Sequence, residues 1–178
     1  MAQLNRTIAL VGMMGAGKSS LGRRLAARLA VEFRDADSEI EKAAGCSIPE
    51  IFERFGEPEF REGERRVIAR LLEEPAHVLA TGGGAFMDPD TRARLKARAF
   101  SIWIKVPVPL LLTRVKRRGN RPLLKDGDLE ETLTRLLAAR ESSYAQADMI
   151  LESIGESHGA TVEKILAALE AHHLYEGP

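Results

Sequence analysis

At 178 residues, with 44% apolar and 29% charged side chains, the chain has the size and composition of a single soluble globular domain. A chain this long buries roughly 70% of the surface its unfolded form exposes, so it builds a core without disulfide or metal staples. Its 26 basic and 26 acidic residues balance, which leaves no overall field to attract nucleic acid or an anionic membrane.

The only cysteine, Cys46, allows no intrachain disulfide, and the four histidines show no metal-ligand spacing. No apolar run approaches the roughly 20 residues that span a bilayer, and the first residues lack a signal-peptide layout. The expected compartment is the cytoplasm.

Thr7–Val11 reads as a buried strand and Ser19–Leu29 as a helix with Leu21, Leu25 and Leu29 on one stripe. A short strand is predicted at Val31–Asp35 and a helix at Ser38–Ala44. Ser47-Ile48-Pro49-Glu50 has the form of a capping box and opens a helix to Phe55, with a charged amphipathic helix over 59–72. His77–Ala80 is a third strand, running into Thr81-Gly82-Gly83-Gly84.

Asp88 and Pro89 provide the N-cap and first residue of a helix to Ala97. Phe100–Lys105 is the fourth strand, and a helix over 109–117 follows it. The basic, turn-rich segment 118–128 is the candidate lid, after which Leu129, Leu133, Leu136 and Leu137 mark another helix. Met149–Glu152 is a fifth strand, and Val162, Ile165, Leu166 and Leu169 give the last helix its apolar face. This alternation predicts a three-layer α/β/α fold around a five-stranded parallel sheet, with ligands at the carboxyl ends of the strands.

One such end carries Gly12-x-x-x-x-Gly17-Lys18-Ser19, between a predicted strand and a predicted helix. This is the phosphate-binding P-loop spacing: backbone N–H groups and a helix N-terminus face the phosphates, the lysine reaches the β and γ phosphates, and the serine ligates Mg²⁺. Asp35 and Asp37, two apart at a strand end, are predicted to point into one cleft because strand side chains alternate with period 2. Thr81-Gly82-Gly83-Gly84 strips three side chains from another strand end, which suits close approach of backbone to a ligand. Arg114, Lys116, Arg117, Arg118 and Arg121 form either a local anion site or a solvated helix face. By position alone Arg61 and Arg140 read as surface residues of helices, and His172 and His173 as solvated.

Taken together, Gly12-Met-Met-Gly-Ala-Gly-Lys-Ser19, Asp35-x-Asp37, Ile51-Phe52, Glu59-Phe60-Arg61, Gly82-Gly83-Gly84, Arg121-Pro-Leu-Leu124 and Arg140-x-x-x-Tyr144 resemble, in order and spacing, the shikimate kinases. The resemblance covers residues 7–170 and includes the acceptor region as well as the nucleotide loop. It implies a P-loop NTPase fold of the nucleoside monophosphate kinase type, as one kinase domain over 1–178 with an acceptor-binding region at 35–64 and a lid at 118–128. The implied reaction is transfer of the γ-phosphoryl of ATP to the 3-hydroxyl of shikimate, on the way to chorismate and the aromatic amino acids.

Carried over residue by residue, Gly12, Met13, Met14, Gly15, Ala16, Gly17, Lys18, Ser19, Ser20, Arg114 and Arg121 are implied to bind ATP. Ser19 and Asp35 are implied to hold Mg²⁺. Asp37, Arg61, Gly82, Gly83, Gly84 and Arg140 are implied to bind shikimate, with Glu64 orienting Arg61. Lys18, Asp37 and Arg121 are the implied catalytic residues, in a monomer that engages neither nucleic acid nor membrane. Gluconokinase or a nucleoside monophosphate kinase is the competing enzyme reading, and an inactive binding module is another. A GTP switch is disfavoured because the chain has neither Asn-Lys-x-Asp nor Asp-x-x-Gly.

Overall fold

The computed structural model describes residues 3–118 and 128–176. Five parallel strands lie in the order β3-β4-β2-β5-β6: β2 is Thr7–Val11, β3 Phe33–Asp35, β4 Val78–Ala80, β5 Ala99–Lys105 and β6 Met149–Glu152. Every residue of β2 is buried, and successive strand residues face opposite ways, so both faces of the sheet are covered. The covering helices are α1 (Lys18–Leu29), α2 (Ala36–Ala44), α3 (Ile48–Leu71), α4 (Pro89–Arg98), α5 (Val108–Arg118), α6 (Leu129–Tyr144) and α7 (His158–Ala171). The predicted α/β class and five-strand count agree with this architecture. Among the described residues no helix is long and apolar enough to cross a membrane.

Local chemistry sets the boundaries. Ser47 accepts from the Glu50 N–H and the Glu50 carboxylate accepts from the Ser47 N–H, so the predicted capping box is present. The two helices predicted on either side of residue 56 are joined in α3, with Gly56 at φ 83° and ψ 171° forming the kink between them. That left-handed φ is open to glycine at little cost and explains how Pro58 is tolerated just beyond it.

Two differences from the sequence-based expectation matter. The chain turns helical at Ala36, because the Asp35 carboxylate accepts from the N–H groups of Asp37 and Ser38 and caps α2. Asp37 therefore stands on a helix, and the period-2 argument does not apply to it. In addition, β1 (Gln3–Leu4) pairs antiparallel with β7 (Tyr175–Glu176), burying Leu4 and Tyr175, which no sequence pattern anticipated.

At the amino end of β4, an interior strand, His77 is almost fully buried. Its Nδ1 lies 2.9 Å from the Pro75 carbonyl, so Nδ1 carries the hydrogen and Nε2, which has no partner, holds a lone pair. Burial pushes the imidazole below its ordinary pKa, partly offset by the Pro75 contact. The unfolded chain thus takes up a proton near pH 6.5 that the folded chain binds only at lower pH, so stability is full above that value and declines as pH falls through the window. Denaturant unfolding at several pH values is expected to show this slope, and His77→Gln, which cannot charge, should lose its share of it. An unchanged slope in that variant would remove His77 as the source.

Candidate active site

The carboxyl ends of β2, β3 and β4 bring four segments together. The first is the loop between β2 and α1, with Gly12, Gly15 and Gly17 at φ 141°, 80° and 89°. A Cβ on Gly12 would lie 2.8 Å from the Ile104 carbonyl oxygen, so only glycine fits there. Helices α2, α3, α4, α6 and α7 each have a side chain capping the N-terminus, whereas α1 begins at Gly17 with none. Its first N–H groups therefore have no side-chain acceptor at the cap, the arrangement that favours an anion. Lys18, buried in the same loop, donates from Nζ to the carbonyls of Gly12 at 2.7 Å and Met13 at 2.8 Å.

Beside the loop the Ser19 hydroxyl donates to Asp35 Oδ2 at 2.5 Å, while Oδ1 of Asp35 holds the α2 cap. Two hard oxygen ligands therefore stand together next to the phosphate position, a donor set that fits Mg²⁺. Among the described residues no three His, Cys, Asp or Glu side chains converge on one point. Arg114, from α5, donates to the Ala16 carbonyl at 3.1 Å, and His158, at the start of α7, reaches toward Gly17. Lys116 and Arg117 are exposed on α5. Arg121 and the rest of segment 119–127, including most of the predicted lid, lie outside the described residues.

Across from the loop is a cleft lined by Met14, Asp37, Ile48, Phe52, Phe60, Arg61, Glu64, Gly82–Gly84 and Arg140. Each of its glycines leaves room for a particular polar group. A Cβ on Gly82 would stand 2.8 Å from Asp37 Oδ1, on Gly83 3.1 Å from Arg140 Nη1, and on Gly84 2.5 Å from Arg61 Nη2. The run of glycines is thus the space into which one carboxylate and two guanidiniums fit. Phe52 and Phe60, with ring centroids 4.8 Å apart, form an apolar wall, and the Arg61 guanidinium lies over Phe60 at 5.1 Å.

Sequence position alone made Arg61 and Arg140 surface residues, and both are in the cleft. Arg140 is 7% exposed, and its Nη1 is buried with no hydrogen-bond partner among the described residues. Glu64, 3% exposed, accepts from Arg61 at 2.9 Å through Oε1, while its Oε2 has no partner. Burial raises the Glu64 pKa, Arg61 opposes that rise, and the neighbouring Asp37 adds to it. The spacing of Arg61 and Glu64, three apart on a helix, is the signal by which they share a face. Tyr144, one turn after Arg140, sits behind Gly83.

A family model described as shikimate kinase matches residues 14–170. The chain belongs to the shikimate kinase family. A shikimate kinase of Paramagnetospirillum magneticum is 58% identical over 94% of this chain and 86% of its own, and one of Bradyrhizobium diazoefficiens is 57% identical over 94% and 81%. The structure of a shikimate kinase from Acinetobacter baumannii in complex with shikimate superposes with a TM-score of 0.91 at 41% identity, covering 94% of both chains. In shikimate kinase terms, the two halves of the site are the phosphate loop of β2 and the glycine-lined cleft at the end of β4.

Proposed function

We infer that this chain transfers the γ-phosphoryl group of ATP to the 3-hydroxyl of shikimate, giving shikimate 3-phosphate and ADP on the route to chorismate and the aromatic amino acids. The observation that carries the acceptor reading is the cleft of Arg61 and Arg140, where a buried guanidinium nitrogen lacks a partner. Guanidinium forks match a carboxylate bidentately, and a buried donor left unpaired is costly, so the pair calls for an anionic carboxylate acceptor. Gluconate shares that charge, but the intact Gly82–Gly84 run and the family membership favour shikimate.

The proposed roles follow from position. Lys18 and the N–H groups at the start of α1 hold the β and γ phosphates and offset charge as it develops on the transferring group. Met13, Met14, Gly15, Ala16, Gly17 and Ser20 complete that cradle, and Arg114 braces it from α5. Asp37 accepts a hydrogen bond from the 3-hydroxyl, orients it in line with the γ-phosphorus, and takes its proton as the new O–P bond forms. The bond from phosphorus to the bridging oxygen breaks, and ADP leaves with that oxygen. Arg61 and Arg140 hold the carboxylate at the far side of the ring, with Gly83 lending its backbone.

Ser19 and Asp35 are the proposed Mg²⁺ residues. When bound, Mg²⁺ neutralises the β and γ phosphate oxygens and draws electron density from the γ-phosphorus. We further propose one kinase domain in which residues 35–64 form most of the acceptor side, acting as a monomer in the cytoplasm, where ATP is available. Release of ADP from ATP and Mg²⁺, measured with shikimate, gluconate, CMP and no acceptor, tests the assignment. Turnover with shikimate alone supports it, and turnover only with another acceptor sinks it.

A further inference from the structure

Behind Gly83 stands a side chain that the roles above do not use. Tyr144 follows Arg140 by four residues on α6, so the two share a helix face. Its side chain is 0% exposed, and its ring stacks on Trp103 of β5 with centroids 5.5 Å apart and planes at 30°. Trp103 in turn lies beneath the phosphate loop: a Cβ on Gly12 would come within 3.3 Å of its Cδ1. The indole and phenol fill the space between the phosphate loop and the acceptor cleft.

At the cleft end the phenol hydroxyl donates to the Gly83 carbonyl. The Arg140 guanidinium, one turn earlier on α6, is close enough to the phenol to act on its charge. A guanidinium has donors only, so the one phenol hydrogen is committed to the carbonyl and the oxygen lone pairs face Arg140. Because a trans peptide is planar, pinning the Gly83 carbonyl toward Tyr144 turns the Gly84 N–H the opposite way. Burial holds the phenol above its ordinary pKa, so the hydrogen stays in place around neutral pH.

We propose that Tyr144 is a positioning residue for acceptor recognition: backed by Trp103, it sets the Gly83 peptide and the Arg140 guanidinium in the orientation that receives a carboxylate. The proposal deepens the carboxylate reading of the cleft and rests on it. It assigns a role in binding to a buried side chain that does not line the cleft.

Tyr144→Phe keeps the ring and the stack and removes only the hydroxyl. We expect its KM for shikimate to rise about three- to tenfold, the usual effect of deleting one buried neutral hydrogen bond. Its kcat and its KM for ATP should stay within about twofold of wild type. Competition by a shikimate analogue lacking the carboxylate should be equally strong against both proteins. An unchanged KM for shikimate overturns the proposal. So does an equal loss of affinity for the decarboxylated analogue, which would mark a general loosening of the cleft. A wild type inactive toward shikimate would overturn the underlying acceptor reading, and the acceptor panel scores that separately from the Tyr144 comparison.

Discussion

Asp37→Asn is expected to leave ATP binding intact and to lower turnover with shikimate by about 10²- to 10⁴-fold, the range associated with losing a positioned general base. Three local features support this expectation. The Asp35 cap fixes the start of α2, so the backbone at residue 37 has one placement. The missing side chain at Gly82 admits the Asp37 carboxylate to the cleft, with Oδ1 2.8 Å from where a Cβ would stand. Burial raises the pKa of the neighbouring Glu64 carboxyl and Asp37 adds to that rise against Arg61 and Arg140, while Glu64 itself is already held by Arg61 at 2.9 Å.

An asparagine at 37 preserves shape and accepts a hydrogen bond, but it neither takes the proton nor supplies negative charge. Steady-state kcat together with ADP affinity by calorimetry separates these effects. Turnover within about threefold of wild type would take Asp37 out of the proton step. Loss of nucleotide affinity in parallel with turnover would show instead that the substitution disturbs the phosphate loop.

The second large effect is expected from Arg140→Ala. Removing one partner of a buried, charge-assisted contact costs about 2–5 kcal/mol, which corresponds to roughly 30- to 4000-fold in affinity. We expect the KM for shikimate to rise within that range while the KM for ATP stays within about threefold. Arg61, fixed by Glu64 at 2.9 Å and Glu57 at 3.5 Å, supplies only its own half of the clamp. Arg140→Lys should recover only part of the loss, since an ammonium restores the charge without the planar fork. Equal increases for the two substrates would argue against a carboxylate clamp at this position.

The nucleotide half of the site was legible in the sequence because its chemistry lies in consecutive residues. Glycines at 12, 15 and 17 adopt backbone angles that other residues rarely reach, and Lys18 and Ser19 follow directly. The acceptor half was not legible from pattern. A helical arginine reads as exposed, and Arg140 is buried only because Gly83, from a distant segment, leaves it room. Resemblance to a family supplies those residues, and the structure supplies the reason they fit together.

Other misses have equally local causes. The alternation argument for Asp35 and Asp37 assumed that the strand continued, but the cap formed by Asp35 ends it. The two carboxylates part company there, one toward Ser19 and the other toward the cleft. Strands β1 and β7 are two residues each, too short to display a period. Tyr144 was visible as part of a motif, yet its hydroxyl gains meaning only when β4 brings the Gly83 carbonyl to it.

The placement of β2 has a consequence for how the enzyme is made. Ile8 pairs with Val78 on one side and Phe100 on the other, and the carbonyl against which Gly12 rests belongs to Ile104. A nascent chain that has emerged only as far as α3 holds the whole phosphate-binding motif and none of this support. Closing such distant pairings demands chain entropy before it returns any contact. The first part of the site to be translated therefore waits for later strands to support it, and a fragment ending before β5 keeps the motif intact while leaving one hydrogen-bonding edge of its strand open.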